Sequence, residues 1–476
     1  MGPWSSAASP KGDLPDPGRD SLPVIRTLKY GGDLLSLHAR HPNRYPCLLE
    51  SVLQGSTQAR YDILFAFPGE TLQLDEELRL NRPGFGSGAD DFLHQFNAWW
   101  RSRRAVTAAT CPLPFQGGWF VYLAYELAGQ IEPALQLPPL PHHTGLPAAC
   151  AVRIPAAMIR DHRDGRIHLL AEPGHEALLD LMAVDIDSSG PVEHPLEAGP
   201  CLSTTIEEEN PEIYLDGIRR IKHYIVEGDI FQVNLSRSWR GRLRRNISDV
   251  ALYQRLRQYN PAPFAALCRL DGATVISSSP ERLVSVRGDT VETRPIAGTV
   301  PRLGVPGKDR SSLDKQLRCH PKERAEHIML IDLERNDLGR ICCPGSIQVT
   351  ELLALESYAY VHHLVSNVRG RLRPELAPGD VIRAVFPGGT ITGCPKVRCM
   401  EIIAELEQKP RGAYTGAVGY INRDGSMDLN ILIRTMVRSA QDIIFNAGAG
   451  IVADSDPQRE LEETRAKAHG LLRALC

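Results

Sequence analysis

Two pairs of carboxylates are the first candidates for chemistry. In KERAEHIMLIDLERND, Glu323 and Glu326 stand three residues apart, which puts both on one helical face within reach of a single ion or ligand. The closing stretch PQRELEETRAKAHGLL repeats the device with Glu460 and Glu463, and adds Lys467 four residues further on. Two such pairs suit a hard cation such as Mg²⁺, which takes oxygen ligands and leaves positions for water and an anionic substrate. Lys467 could bind the same anion. Ordinary solvated helix faces with this spacing are the plain alternative. Neither helix offers Glu-x-x-His, so a carboxylate-bridged di-iron bundle is not indicated.

Two glycine-rich segments come next. FPGGTITGCPK (386–396) leads into a helix starting near Pro395, and NAGAG (446–450) reads as a turn after the strand DIIF. Backbone amides freed by glycine hold carboxylates or phosphates, although neither segment has the Gly-Lys-Ser/Thr ending of a P-loop or a dinucleotide fingerprint. His362 and His363 lie in the apolar run VHHLVS, where strand alternation sends one imidazole to each face. Arg434, inside NILIRTM, is more telling, because a buried guanidinium needs an anionic partner.

These residues need a large scaffold. The 476 residues allow one to three folding units at roughly 150 residues each. With 42% hydrophobic and 23% charged residues the chain is globular, and 54 basic against 57 acidic residues give no electrostatic case for nucleic acid or an anionic membrane as partner. Eleven scattered cysteines without a Cys-x-x-Cys pair suit a reducing cytoplasm, and neither a membrane span nor a signal peptide is expected. Residues 1–21 read as a disordered tail, and 22–200 as an N-terminal subdomain of mostly strand-like segments. A polar stretch near 188–211 divides it from a unit spanning 201–476.

Beyond that stretch Asn210 can cap a helix with Pro211 at its first position, Tyr214, Ile218, Ile221 and Ile225 forming its stripe and Gly228 its stop. Helices at about 321–334, 395–407 and 457–474 alternate with strands at 230–235, 274–278, 283–286, 347–353, 361–368, 416–421 and 442–446. Strands occur both consecutively and between helices, which predicts an α+β fold: packed sheets with an antiparallel component, covered by helices.

The segments GDIFQVNLS, SSSPERL, RPIAGT, KERAEHIMLIDLERNDLGR, HHLVSNVRG, FPGGTITGCPKVRCMEII, AYTGAVGY and GAGIVADSDPQRELEETRAKA together resemble the chorismate-utilising enzymes. The resemblance runs from about Leu48 to the C-terminus. It implies two large β-sheets packed as a sandwich with helices outside, and an active site in which Glu326 and Glu463 ligate Mg²⁺ with Glu323 and Glu460 beside them. The ion would hold the ring carboxylate of chorismate, helped by Lys467 and the amides around Gly448 and Gly450. Tyr414 and Arg434 match residues that hold the enolpyruvyl carboxylate. His363 and Thr390 match those near the departing ring hydroxyl, and Thr299 of RPIAGT is counted with the substrate-binding residues.

The branch turns on the nucleophile. Gln232 stands where isochorismate and salicylate synthases carry a lysine that serves as base for water, and an amide cannot take that proton. Ammonia is therefore expected. QVNLS and FPGGTITG resemble component I of aminodeoxychorismate synthase, whereas anthranilate synthases usually read QVVLS and FPAGT. Ala297 points the other way, since many aminodeoxychorismate synthases have a lysine there that adds covalently to the ring. No glutaminase motif is present, so a separate glutamine amidotransferase subunit is implied. Leu49, Glu50 and Ser51 resemble the lining of a tryptophan pocket in the family, with Glu281 as a further contributor; the start of a core strand is the alternative. A non-catalytic chorismate-binding scaffold is disfavoured by the presence of Glu326, Glu463, His363 and Arg434.

Overall fold

The computed structural model describes residues 22–52, 60–81, 91–105, 111–188, 199–301, 321–357 and 361–476, with backbone alone for 143, 297–301, 321–323, 357 and 361–363. The tail 1–21 and residues 189–198 of the polar divider lie outside the described residues.

Alternating segments pair into two antiparallel sheets, of twelve and eleven strands among the described residues, as the α+β reading expects. Strands from before and after residue 200 interleave in both. Cys47–Glu50 lies between Tyr61–Ala66 and Phe264–Arg269 in one sheet, and Gly118–Leu123 pairs with Ala417–Asn422 in the other. Their facing sides bury Phe65 and Phe120 against each other, with Val284 and Leu429 in the same core, while Trp119 on the opposite face packs on Phe96 and Trp99 of the helix Phe92–Arg103. Burial of such side chains contributes roughly 1.5–3 kcal/mol each. The outer face of the first sheet is closed by helices, the C-terminal one, Pro457–Leu475, burying Ala468, Leu471 and Leu475.

Helix signals hold where chemistry dictates them. The Asn210 side chain accepts from the Glu212 amide, Tyr214, Ile218 and Ile221 are buried along Pro211–Glu227, and Gly228 ends the helix at φ 85°, a conformation glycine adopts without strain. The helix expected at about 321–334 runs on as Pro321–Gly339, because Leu338 enters the core and Asp337 meets Lys396 at 2.5 Å.

One expectation fails. NAGAG is not a turn but part of the continuous strand Asp442–Ile451, paired with Gln232–Arg242 so that Gly448 faces Ser236 and Gly450 faces Asn234. Glycine is needed here for close approach. A Cβ on Gly448 would lie 2.7 Å from the Asn234 amide oxygen and 2.7 Å from the Tyr414 hydroxyl, and one on Gly450 would strike the Gln232 amide.

Candidate functional site

The strand Gln232–Arg242 is the axis of the site. Alternation puts Gln232, Asn234 and Ser236 on one face, and all three are buried. The backbone N–H groups of Asn234 and Ser236 are bonded away from the neighbouring strand, to the Thr392 carbonyl at 2.9 Å and to Glu407 at 2.8 Å. Their antiparallel partners Gly450 and Gly448 therefore sit at non-hydrogen-bonded positions, where N–H and C=O both point outward. On that outward side the Gly448 carbonyl accepts from Lys467 Nζ at 2.9 Å. The next strand on that side, Thr435–Ser439, pairs with Asp442–Phe445, and among the described residues its pairing does not extend to Gly448 or Gly450, whose amides point to the side of Lys467.

The carboxylates converge on this segment from two helices. Glu326, from Pro321–Gly339, accepts from Gln232 Nε2 at 3.2 Å and is 3.5 Å from the Cβ position of Gly450. Glu463, from the C-terminal helix, pairs with Lys467 at 2.8 Å. Glu460 is one turn away, and its charge raises the pKa of buried Tyr214 in addition to the larger effect of burial. Among the described residues no three acidic, histidine or cysteine side chains close on one point. A cation held by Glu326 and Glu463 would thus rely on two carboxylates and water, a donor set that fits Mg²⁺.

Two groups that could bind an anion come next, Arg434 and Tyr414, the Tyr414 hydroxyl beside Gly448. Arg434 follows the strand Met427–Ile431 with φ 52°. Burial pulls its guanidinium pKa down, against the opposing charges of Tyr414 and Glu463. Tyr414 is buried, and burial pushes its hydroxyl up, with Arg411 and Arg434 acting in the opposite sense. Beneath them Arg411 forms a buried ion pair with Glu407, Nη2 to Oε1 at 2.6 Å and Nε to Oε2 at 3.0 Å. The same guanidinium donates to the carbonyls of Asn234 at 2.7 Å and Ile391 at 3.1 Å. Arg411 thereby ties the axial strand to the turn Gly389–Ile391 that carries Thr390.

Thr390 Oγ1 donates to Glu281 Oε1 at 2.8 Å. Burial pushes the Glu281 carboxyl up to about 7, offset in part by Thr390 and by the charge of Lys467. Glu281 therefore belongs with Thr390 and Lys467, and not with Leu49, Glu50 and Ser51. Those three line a separate cavity of about 620 Å³ with Pro263, Phe264 and Arg282. There Glu50 accepts from Tyr253 at 2.6 Å and Arg257 at 3.0 Å. The neighbours Glu281 and Arg282 thus face different sites.

The side chains of Glu323, Thr299 and His363 lie outside the described residues. Their backbones are placed, and Thr299 stands directly opposite His363 in the antiparallel pair Ile296–Pro301 with Val361–Arg371. Sequence reasoning missed the Arg411–Glu407 pair and the placement of Glu281 beside Thr390. An arginine in the Gly-rich segment KPRGAYTG and a glutamate directly after the buried run SSSP were the available signals.

The chorismate binding enzyme family matches residues 51–473. Component 1 of Bacillus subtilis aminodeoxychorismate synthase is 37% identical over 448 residues, covering 91% of this chain and 92% of that protein. Component 1 of Pseudomonas aeruginosa anthranilate synthase is 37% identical over 459 residues, covering 91% and 90%. The crystal structure of anthranilate synthase component I from Streptococcus pneumoniae TIGR4 superposes with a TM-score of 0.77 at 32% identity, covering 88% of this chain and 93% of that one. The chain belongs to the chorismate-binding enzymes, within the group that holds both the anthranilate and the aminodeoxychorismate synthases. Relatives bearing the two names are equally close. No helix among the described residues is long and apolar enough to cross a membrane.

Proposed function

We propose that the chain is component I of an aminodeoxychorismate synthase, replacing the 4-hydroxyl of chorismate with an amino group from ammonia, on the way to 4-aminobenzoate and folate. One observation carries the ammonia reading: Gln232, at the head of the axial strand, is an amide spent on Glu326. It is no base for water, whereas neutral ammonia is nucleophilic enough to attack without first losing a proton. The 4-amino outcome is supported by the QVNLS and FPGGTITG segments.

Arg434 and Tyr414 hold the enolpyruvyl carboxylate. Lys467 and the outward amides of Gly448 and Gly450 receive the ring carboxylate. Thr390 and His363 serve the departing hydroxyl, and Thr299 is counted with the substrate-binding residues. When Glu281 is protonated, below about pH 7, it becomes the donor in its bond with Thr390, whose own proton then turns to the hydroxyl. Mg²⁺, held by Glu326 and Glu463 with Glu323 and Glu460 adjacent, would neutralise charge at the ring carboxylate. Ammonia comes from a separate glutamine amidotransferase subunit, in the cytoplasm. The cavity at Leu49–Ser51 takes tryptophan, with Phe264 against the indole and Glu50 and Ser51 at the polar end.

Ala297 and the equal identity to anthranilate synthases support a second reading, in which nitrogen enters at carbon 2 and pyruvate leaves. The two products are chemically distinct. Purified protein given chorismate, Mg²⁺ and ammonium should accumulate a 4-amino product by mass, with pyruvate released only when a lyase is added. Stoichiometric pyruvate and anthranilate fluorescence from this chain alone would select the second reading.

A further inference from the structure

The two amide side chains of the axial strand have unused acceptors. Gln232 and Asn234 are 3% and 8% exposed, and Gln232 Oε1 and Asn234 Oδ1 are buried oxygens without a hydrogen-bond donor among the described residues. For Gln232 the orientation follows from charge: the Glu326 carboxylate takes only a donor, so Nε2 faces it and the oxygen faces away. Asn234 lies two residues along on the same face, about 7 Å away from twice the rise of a strand. Its oxygen borders Gly448 and the Tyr414 hydroxyl. Two buried neutral acceptors left without donors are costly, and such groups commonly mark a site.

We propose that Gln232 Oε1 and Asn234 Oδ1 dock the attacking ammonia. This rests on the ammonia reading above. Chorismate brings two carboxylates, which accept hydrogen bonds and so need donors such as Arg434, Tyr414, Lys467 and the glycine amides; a carboxylate cannot pair with an amide oxygen. Ammonia brings three N–H donors and one lone pair. A nitrogen about 3 Å from each oxygen gives each amide one N–H and leaves the lone pair for the ring. In the exchange a C–N bond forms from that lone pair, and the C–O bond breaks with its electrons on the hydroxyl. One proton lost by nitrogen is balanced by one gained by the leaving hydroxyl, which departs as water. Without the Asn234 oxygen the nucleophile loses one of its two anchors while the carboxylate anchors of chorismate are unchanged.

The test is steady-state amination by the full chain with ammonium chloride varied at saturating chorismate and Mg²⁺, and then with chorismate varied. Asn234→Leu, similar in shape but without the acceptor, should raise the KM for ammonium about tenfold or more and leave the chorismate KM within about twofold. Asn234→Asp, which keeps an oxygen, should hold the ammonium KM within about threefold. A higher chorismate KM with the ammonium KM unmoved overturns the docking pair while the ammonia reading stands. Wild-type protein that makes no amino product at any ammonium concentration brings down both. Should the leucine variant not fold, Asn234→Ala removes the same oxygen and is judged by the same two constants.

Discussion

At the scale of single residues, Glu281 couples protonation to both activity and stability. Its folded-state carboxyl titrates near 7, above the ordinary 4.5, so the folded chain holds a proton that the unfolded chain releases. Stability linked to this group is present below pH 4.5, falls as pH rises towards about 7, and is gone above it. Glu281→Gln should therefore melt at a higher temperature than the parent at pH 8, with the gap closing towards pH 5. If the protonated form delivers a proton to the leaving hydroxyl, wild-type kcat/KM falls above about pH 7. The variant should then lose that limb along with ~10²-fold of activity; an unchanged pH profile would make Glu281 a structural acid. Glu326→Gln, assayed at saturating Mg²⁺, should abolish nearly all turnover while the melting curve stays two-state, and near-normal turnover would remove it from the ligand set.

At the scale of elements, the strand Asp442–Ile451 explains a glycine pattern that sequence alone reads as a turn. The two glycines leave room for Gln232, Asn234 and the Tyr414 hydroxyl, and their amides point to the side where no further strand pairs with them among the described residues. Gly448→Ala should leave secondary structure intact, since a methyl group is compatible with extended backbone. The methyl would still press on Asn234 and Tyr414. The chorismate KM should rise at least ~10-fold, about 1.4 kcal/mol of binding. Isothermal titration with chorismate in the absence of ammonium checks this directly, and an unchanged dissociation constant would mean that the pair shifts without cost.

For the whole molecule, the buried ion pair between Arg411 and Glu407 joins the axial strand, the Thr390 turn and the segment before Tyr414. Removing one partner of such a pair leaves a charge buried alone, at a cost of ~3–5 kcal/mol. Arg411→Met should lower stability by that amount in urea titration, with the denaturant slope unchanged. Replacing both residues with apolar ones of like size should recover part of the loss. Glu126 belongs to the same network, accepting from the Arg411 amide at 2.8 Å. Burial pushes its carboxyl up to about 7, so its linkage has the same sign as that of Glu281.

Periodicity and capping alone determine much of this protein: the Asn210 cap, the 3.6-residue stripe of Pro211–Glu227, the α+β class, and the helical placement of Glu326 and Glu463. Each is a local property, decided by steric and hydrogen-bonding rules that act over a few residues. Gln232 as an amide, with its consequence for the nucleophile, is equally legible, because it depends on chemical type. Position in space is another matter. That NAGAG extends a strand, that Glu281 turns to Thr390 while Arg282 turns to the cavity, and that Arg411 braces two distant segments are outcomes of pairing between residues up to about two hundred positions apart. No local rule encodes such pairings; they are selected by the joint burial of two sheet faces, and only the tertiary structure decides them.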